Sequence, residues 1–206
     1  MLIIDEREKI AFKLCMVKDL EKKMKTGYKS QFRNIIIKIT SKPTRYKKFK
    51  SPVNVSEDSI KLESTSKSIY NYLLDMFDVF GNNAVLNAKG IFEENAFKWG
   101  KKFYKTYNNS YNAGDIKKLL IELYNGIKDM DSISLNNRQL SWTFMKPKED
   151  CELNTRSDRY FNQMYEIKAI WLQSFIKALA PGYTGVLDII EEDDEHIVSN
   201  ITIKEG

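Results

Sequence analysis

The chain has 206 residues, 42% of them hydrophobic and 12% aromatic, which is enough for one ample core and too apolar for a disordered protein. Its net charge of +5 is unevenly spread: residues 1–50 hold fifteen Lys/Arg against five Asp/Glu, a net +10, leaving −5 for residues 51–206. Cys15 and Cys151 stand far apart with no C-x-x-C pair, which fits two thiols in a reducing compartment better than a disulfide scaffold. Asp5, Glu6, Arg7 and Glu8 fall where a signal peptide needs its apolar region, and no stretch reaches about 18 uncharged apolar residues, so the expectation is a soluble, cytoplasmic protein.

Residues 4–25 suit a helix with an apolar stripe through Ile10, Leu14, Val17 and Leu20, lysines near its C-terminal end and Gly27 as its stop. The β-branched run Ile35–Thr40 reads as a strand able to join the closing strands in one sheet. Residues 41–58 carry Pro43, Pro52 and five Lys/Arg without a period, and read as a linker. This divides the chain into a basic helix-strand segment and linker, residues 1–58, and a second domain, residues 59–206.

Ile69, Tyr72, Leu73, Met76, Phe77 and Phe80 have helical spacing, with Ser66 or Ser68 as cap and Gly81 as stop. The following NNAVLNAKGIFEENAFKWGKKFYKTY reads as a longer helix. In it Ala84, Ala88, Ala96 and Gly100 recur at helical spacings, while Ile91, Phe92, Trp99 and Phe103 supply bulk. Gly90 and Gly100 each cost roughly 1 kcal/mol relative to alanine inside a helix, so a close neighbour is expected at both. A third helix is expected from Asp115 to Met130, with Ile116, Leu119, Leu120, Leu123 and Ile127 inward. Asn136-Asn137 then offers a turn, and Leu140, Trp142 and Phe144 alternate with Ser141 and Thr143 as a half-buried strand. Lys146–Asp158 reads as a polar loop, with Ser157 or Asp158 capping a long amphipathic helix, Tyr160–Ala180. After Pro181-Gly182 come a strand, an acidic turn and a last strand. Strands in small groups without βαβ alternation predict an α+β fold. It consists of an antiparallel sheet of about four strands covered by several helices, closing with a long helix and a C-terminal β-hairpin.

The stretch FGNNAVLNAKGIFEENAFKWGKKF, the helix and strand that follow it, and WLQSFIKALAPGYTGVLDIIEED before the last strand NITIKE resemble the 4-vinyl reductase domain family, related to the TRAPP-like vesicle-tethering subunits. The resemblance covers about residues 60–206. It implies a small-molecule-binding fold, homodimeric through its helices. Some members carry a zinc site of a glutamate and cysteines around the closing hairpin. Here IIEEDDEHIVSNITI has no cysteine, so no structural zinc is expected even with Glu191 and Cys151 available. Glu191, Asp194 and His196 as ligands of another metal are the weaker alternative to a solvated acidic turn.

His196 is the one histidine in the chain, and no nucleophile motif accompanies it. There is no phosphate-binding glycine loop and no H-E-x-x-H. His196 lies on a strand, whereas haem-binding relatives of such folds use an axial histidine on a helix. No enzyme activity and no cofactor are therefore expected.

Aromatic bulk remains: Trp99, Phe103, Trp142, Phe144, Trp171 and Phe175 can converge between sheet and helices, as ordinary core or as the lining of an apolar pocket. In the pocket reading Tyr104, Tyr165 or an indole N–H orients a hydrophobic small molecule. The first expectation is thus a ligand-binding or regulatory module. The second is a TRAPP-like scaffold that meets protein partners or an anionic membrane surface through Lys42, Arg45, Lys47, Lys48 and Lys50. The third, a nucleic-acid contact through the basic N-terminus, lacks a helix-turn-helix pattern.

Overall fold

A lysine-rich helix opens the part of the chain that a computed structural model describes: residues 15–29, 31–32, 71–107, 111–123, 128–136, 139–147, 160–192 and 196–206. Several expectations lie outside these residues: the strand at Ile35–Thr40, the linker at 41–58 with its five basic side chains, the caps at Ser66, Ser68, Ser157 and Asp158, Ile127, Cys151 and Asp194. The described residues fall into two compact units, one within Asp5–Ile91 and one within Phe92–Gly206. The expected domain boundary near residue 58 also lies outside the described residues.

Helix α1 (residues 15–29) does not stop at Gly27. It continues to Lys29, whose φ of 44° takes the backbone into the left-handed region. Val17 and Leu20 of the expected stripe are buried, with Met16 and Met24 beside them. Helix α2 (residues 71–80) buries Tyr72, Leu73, Met76, Phe77 and Phe80 as their spacing requires. It ends at Gly81, whose φ of 57° is the left-handed geometry a glycine adopts without strain, and whose N–H donates to the Phe77 carbonyl at 2.8 Å. Helix α3 (Asn82–Tyr107) starts in the next residue. Within the first unit Phe80 takes the rings of Tyr28 and Phe32 at 4.7 and 5.7 Å, and Asn83 donates to the Tyr28 hydroxyl at 3.1 Å.

In the second unit, α4 (Ala113–Leu123) is shorter than its sequence suggests, because Lys128–Met130 belong to a strand. Asp115 is not its cap. Asn112 caps it by accepting the Asp115 N–H at 2.9 Å, and the Asp115 carboxylate accepts the Asn112 N–H at 3.4 Å, a reciprocal pair that satisfies two terminal donors. Helix α5 (Phe161–Leu179) follows Tyr160, which offers no side-chain cap. Pro181-Gly182 then makes the turn, with Gly182 at φ 103° and the Tyr183 N–H donating to the Ala180 carbonyl at 3.0 Å.

Among the described residues four strands form one antiparallel sheet: β1 (Lys128–Asn136), β2 (Gln139–Pro147), β3 (Tyr183–Glu192) and β4 (His196–Glu205), in the order β1-β2-β4-β3. Two hairpins are thus joined through β2 and β4. The sequence allows a strand or a hairpin here, and the structure has the hairpin: Ile133 and Leu135 alternate with Ser132 and Ser134, while Lys128–Asp131 do not continue the pattern. Directly paired residues share a face, so Trp142, Ile201 and Leu187 form one row, and Leu140, Ile203 and Gly185 the next. This face carries the buried Ile197, Ile201, Ile203 and Trp142, and α5 lies on it. At Gly185 a Cβ would collide with the Ile176 side chain of α5, so the missing side chain sets how near the helix comes. On the opposite face Ser141, Asn200 and Thr202 share hydroxyl and amide hydrogen bonds of 2.9–3.0 Å.

Candidate functional site

Small residues let two helices of the second unit approach closely. A Cβ at Gly100 of α3 would stand 2.5 Å from the Phe175 carbonyl oxygen, 2.8 Å from the Ala178 Cβ and 3.1 Å from the Leu179 nitrogen. The Ser174 hydroxyl donates to the Glu93 carbonyl at 2.9 Å and ties the same two helices. Gly90 differs: nothing lies within 4 Å of a Cβ built there, so the neighbour expected at that position is absent. Ala96 is buried one turn before Gly100, which makes the small-residue spacing a record of helix packing.

Around this crossing the rings form a chain. Trp99 and Phe103 are 6.0 Å apart, Phe103 meets Phe175 edge-on at 6.0 Å, and Phe175 stacks on Trp171 at 4.9 Å. Phe103, Trp171 and Phe175 are buried, while Trp99 is half-buried with the Lys102 ammonium 4.4 Å from its ring centre. The structure therefore brings together four of the six expected aromatic residues. Phe144 pairs with Ser199 in the β2–β4 register, and its side chain lies outside the described residues. Tyr104 is exposed, so it cannot orient a molecule held in the core.

Trp142 occupies a different place. It is 1% exposed in the middle of the sheet, with the Lys117 ammonium of α4 5.6 Å from its ring centre. Its indole N–H is buried and meets no acceptor among the described residues. A buried donor left without a partner costs about 1–3 kcal/mol, and buried indoles normally find an acceptor, so this N–H is a donor available to an acceptor. Strand alternation alone puts Trp142 on the covered face; what it faces is set by residues from other elements.

Near it on the same face Ser199 is buried, and the half-buried phenol of Tyr165 on α5 responds to the Ser199 hydroxyl. Burial pushes the Tyr165 phenol up to about 12, the Ser199 hydroxyl pulls it down and the Asp188 carboxylate pushes it up further. The phenol stays protonated at neutral pH and can donate a hydrogen bond but not take a proton.

Among the described residues no three of His, Cys, Asp and Glu come together as a metal site. His196 begins β4, opposite Pro147. Cys15 is exposed, its thiol donating to the Asp19 carboxylate at 3.9 Å. No helix among the described residues is long and apolar enough to cross a membrane.

No protein-family model matches the chain, that of the 4-vinyl reductase domain included, and no curated protein matches it. Among solved structures, a mutant structure of T. Tengcongensis H-NOX is similar over 92% of this chain and 94% of that one, at 12% identity and a TM-score of 0.41. Similarity at that level defines neither fold nor chemistry.

Proposed function

We propose that the chain is a non-enzymatic, small-molecule-binding or regulatory module, whose ligand is largely apolar and carries one hydrogen-bond acceptor. The observation behind this reading is the buried Trp142 N–H without a partner among the described residues, on the sheet face that helices cover. An acceptor placed there regains a hydrogen bond in a low-dielectric site, while the apolar surroundings bind the rest of the molecule. Trp142 in the sheet supplies the polar anchor of this reading, and Phe103, Phe175 and Trp171 pack on one another at the α3–α5 crossing.

Native mass spectrometry of the purified protein against the same sample denatured tests this. The reading predicts a small-molecule mass that is retained by the wild type and lost from Trp142→Phe. A mass accounted for by polypeptide alone in both would assign the N–H to a structural water and remove the ligand.

The 4-vinyl reductase resemblance supports a finer form of the same reading, a homodimer through its helices, which the native mass reports at once. The second reading is a TRAPP-like scaffold that binds protein partners. The exposed Val186 and Ile190 on β3, an outer strand of the sheet, favour it. Capture of a defined partner that is lost in Val186→Ser/Ile190→Ser would support the scaffold, and unchanged capture would exclude this surface.

A further inference from the structure

The solvent face of the second half of α3 carries a pattern that ligand binding does not use. From Asn95 to Tyr107 the helix has Lys98, Lys101, Lys102 and Lys105 and no acidic residue. All four lysines are exposed, and so are two aromatics, Phe97 at 36% and Tyr104 at 44%. Phe97 and Tyr104 are seven residues apart, so they align along the helix about 10 Å from each other. Lys98, Lys101 and Lys105 run beside them at the i, i+3, i+7 spacing of one stripe. Lys98 also lies 3.9 Å from the Glu94 carboxylate, an exposed pair that leaves the stripe strongly cationic.

We propose that this face of α3 docks on an anionic phospholipid surface, with Phe97 and Tyr104 entering the headgroup layer and the lysines meeting lipid phosphates. Charge complementarity selects a polyanion. The cations over the rings select lipid over single-stranded nucleic acid. The Lys101 ammonium sits 4.5 Å from the Phe97 ring centre and that of Lys102 4.4 Å from Trp99, so each ring has a face covered where a base would stack. Insertion into headgroups needs only the ring edge and body, with lysines snorkelling outward.

Pelleting of the full chain with phosphatidylcholine vesicles, with and without phosphatidylserine, tests the proposal. Binding is expected only to the anionic vesicles and falls as salt rises. Lys101→Gln/Lys105→Gln weakens it about 25-fold, near five-fold for each lysine, and Phe97→Ser/Tyr104→Ser weakens it while circular dichroism stays unchanged. Four results would each overturn the assignment. These are no anionic binding at low salt, equal binding to neutral vesicles, loss confined to Lys42→Gln/Lys47→Gln/Lys48→Gln, and retention of polyuridylate without vesicle binding. Retention of a small molecule in the core is read separately by mass and does not depend on these variants.

Discussion

Gly100 and Gly90 show how one residue type means different things ten residues apart. At Gly100 the atoms a Cβ would meet are backbone of α5 and the Ala178 methyl, and none of them can swing away. Gly100→Ala should therefore cost about 1–3 kcal/mol through overpacking, despite alanine's better helix propensity. Gly90→Ala should stabilise by about 0.5–1 kcal/mol, since it fills open space on an exposed helix position. Urea denaturation of both variants checks the pair, and equal shifts would contradict the packing described at α3 and α5. Both glycines look alike in sequence, because helical spacing shows that a residue faces something but not how near it is. Trp142 has the same limit: alternation with Ser141 and Thr143 predicts its burial, yet an N–H that meets no acceptor among the described residues shows only in the folded chain.

At the level of elements, much of the helical structure is legible and the capping chemistry less so. The apolar spacing from Tyr72 to Phe80 and the small-residue spacing of α3 are periodic signals, and the structure follows them. The start of α4 is misread because Asn112 and Asp115 are both good capping residues, and only the reciprocal hydrogen bonds decide between them. Asn112→Ala should cost about 1 kcal/mol. The same urea titration reads it, and no loss would argue against the reciprocal cap. The first half of β1 is hidden for another reason: Lys128, Asp129 and Asp131 have low strand propensity and gain strand structure from pairing with β2.

The α5–sheet contact carries a pH signature. Tyr165 has a folded-state value raised to about 12 from 10.0, chiefly by burial. Its neutral form is the one the fold favours, so the stabilisation is complete below about pH 10 and is lost as pH rises towards 12. Alkaline denaturation of Tyr165→Phe should show a flatter loss of stability across that window than the wild type. Identical profiles would place the titrating group elsewhere.

For the molecule as a whole, strands in small groups without βαβ alternation predict the α+β class that the described elements have. Of the six aromatic residues proposed from sequence, four form a ring chain along the helix crossing and Trp142 sits in the sheet, while the Phe144 side chain lies outside the described residues. Sequence patterns give faces, and this division depends on which faces meet. The basic side chains that matter for a surface also read differently: Lys98, Lys101 and Lys105 form one stripe of α3 with Lys102 beside it, whereas Lys42, Arg45, Lys47, Lys48 and Lys50 lie outside the described residues.

The Trp142 N–H is the centre of this account, and the most direct measurement of it is the indole region of a nitrogen–proton correlation spectrum. The spectrum is taken on the protein as purified and again after it has been stripped of apolar molecules by unfolding, adsorption on a hydrophobic resin and refolding. With three tryptophans in the chain, the Trp142 signal is assigned by its loss in Trp142→Phe. The account predicts that this signal lies downfield, as a hydrogen-bonded N–H, before stripping and moves upfield afterwards, while those of Trp99 and Trp171 change less. A Trp142 signal at the same position in both samples would contradict a ligand at this site.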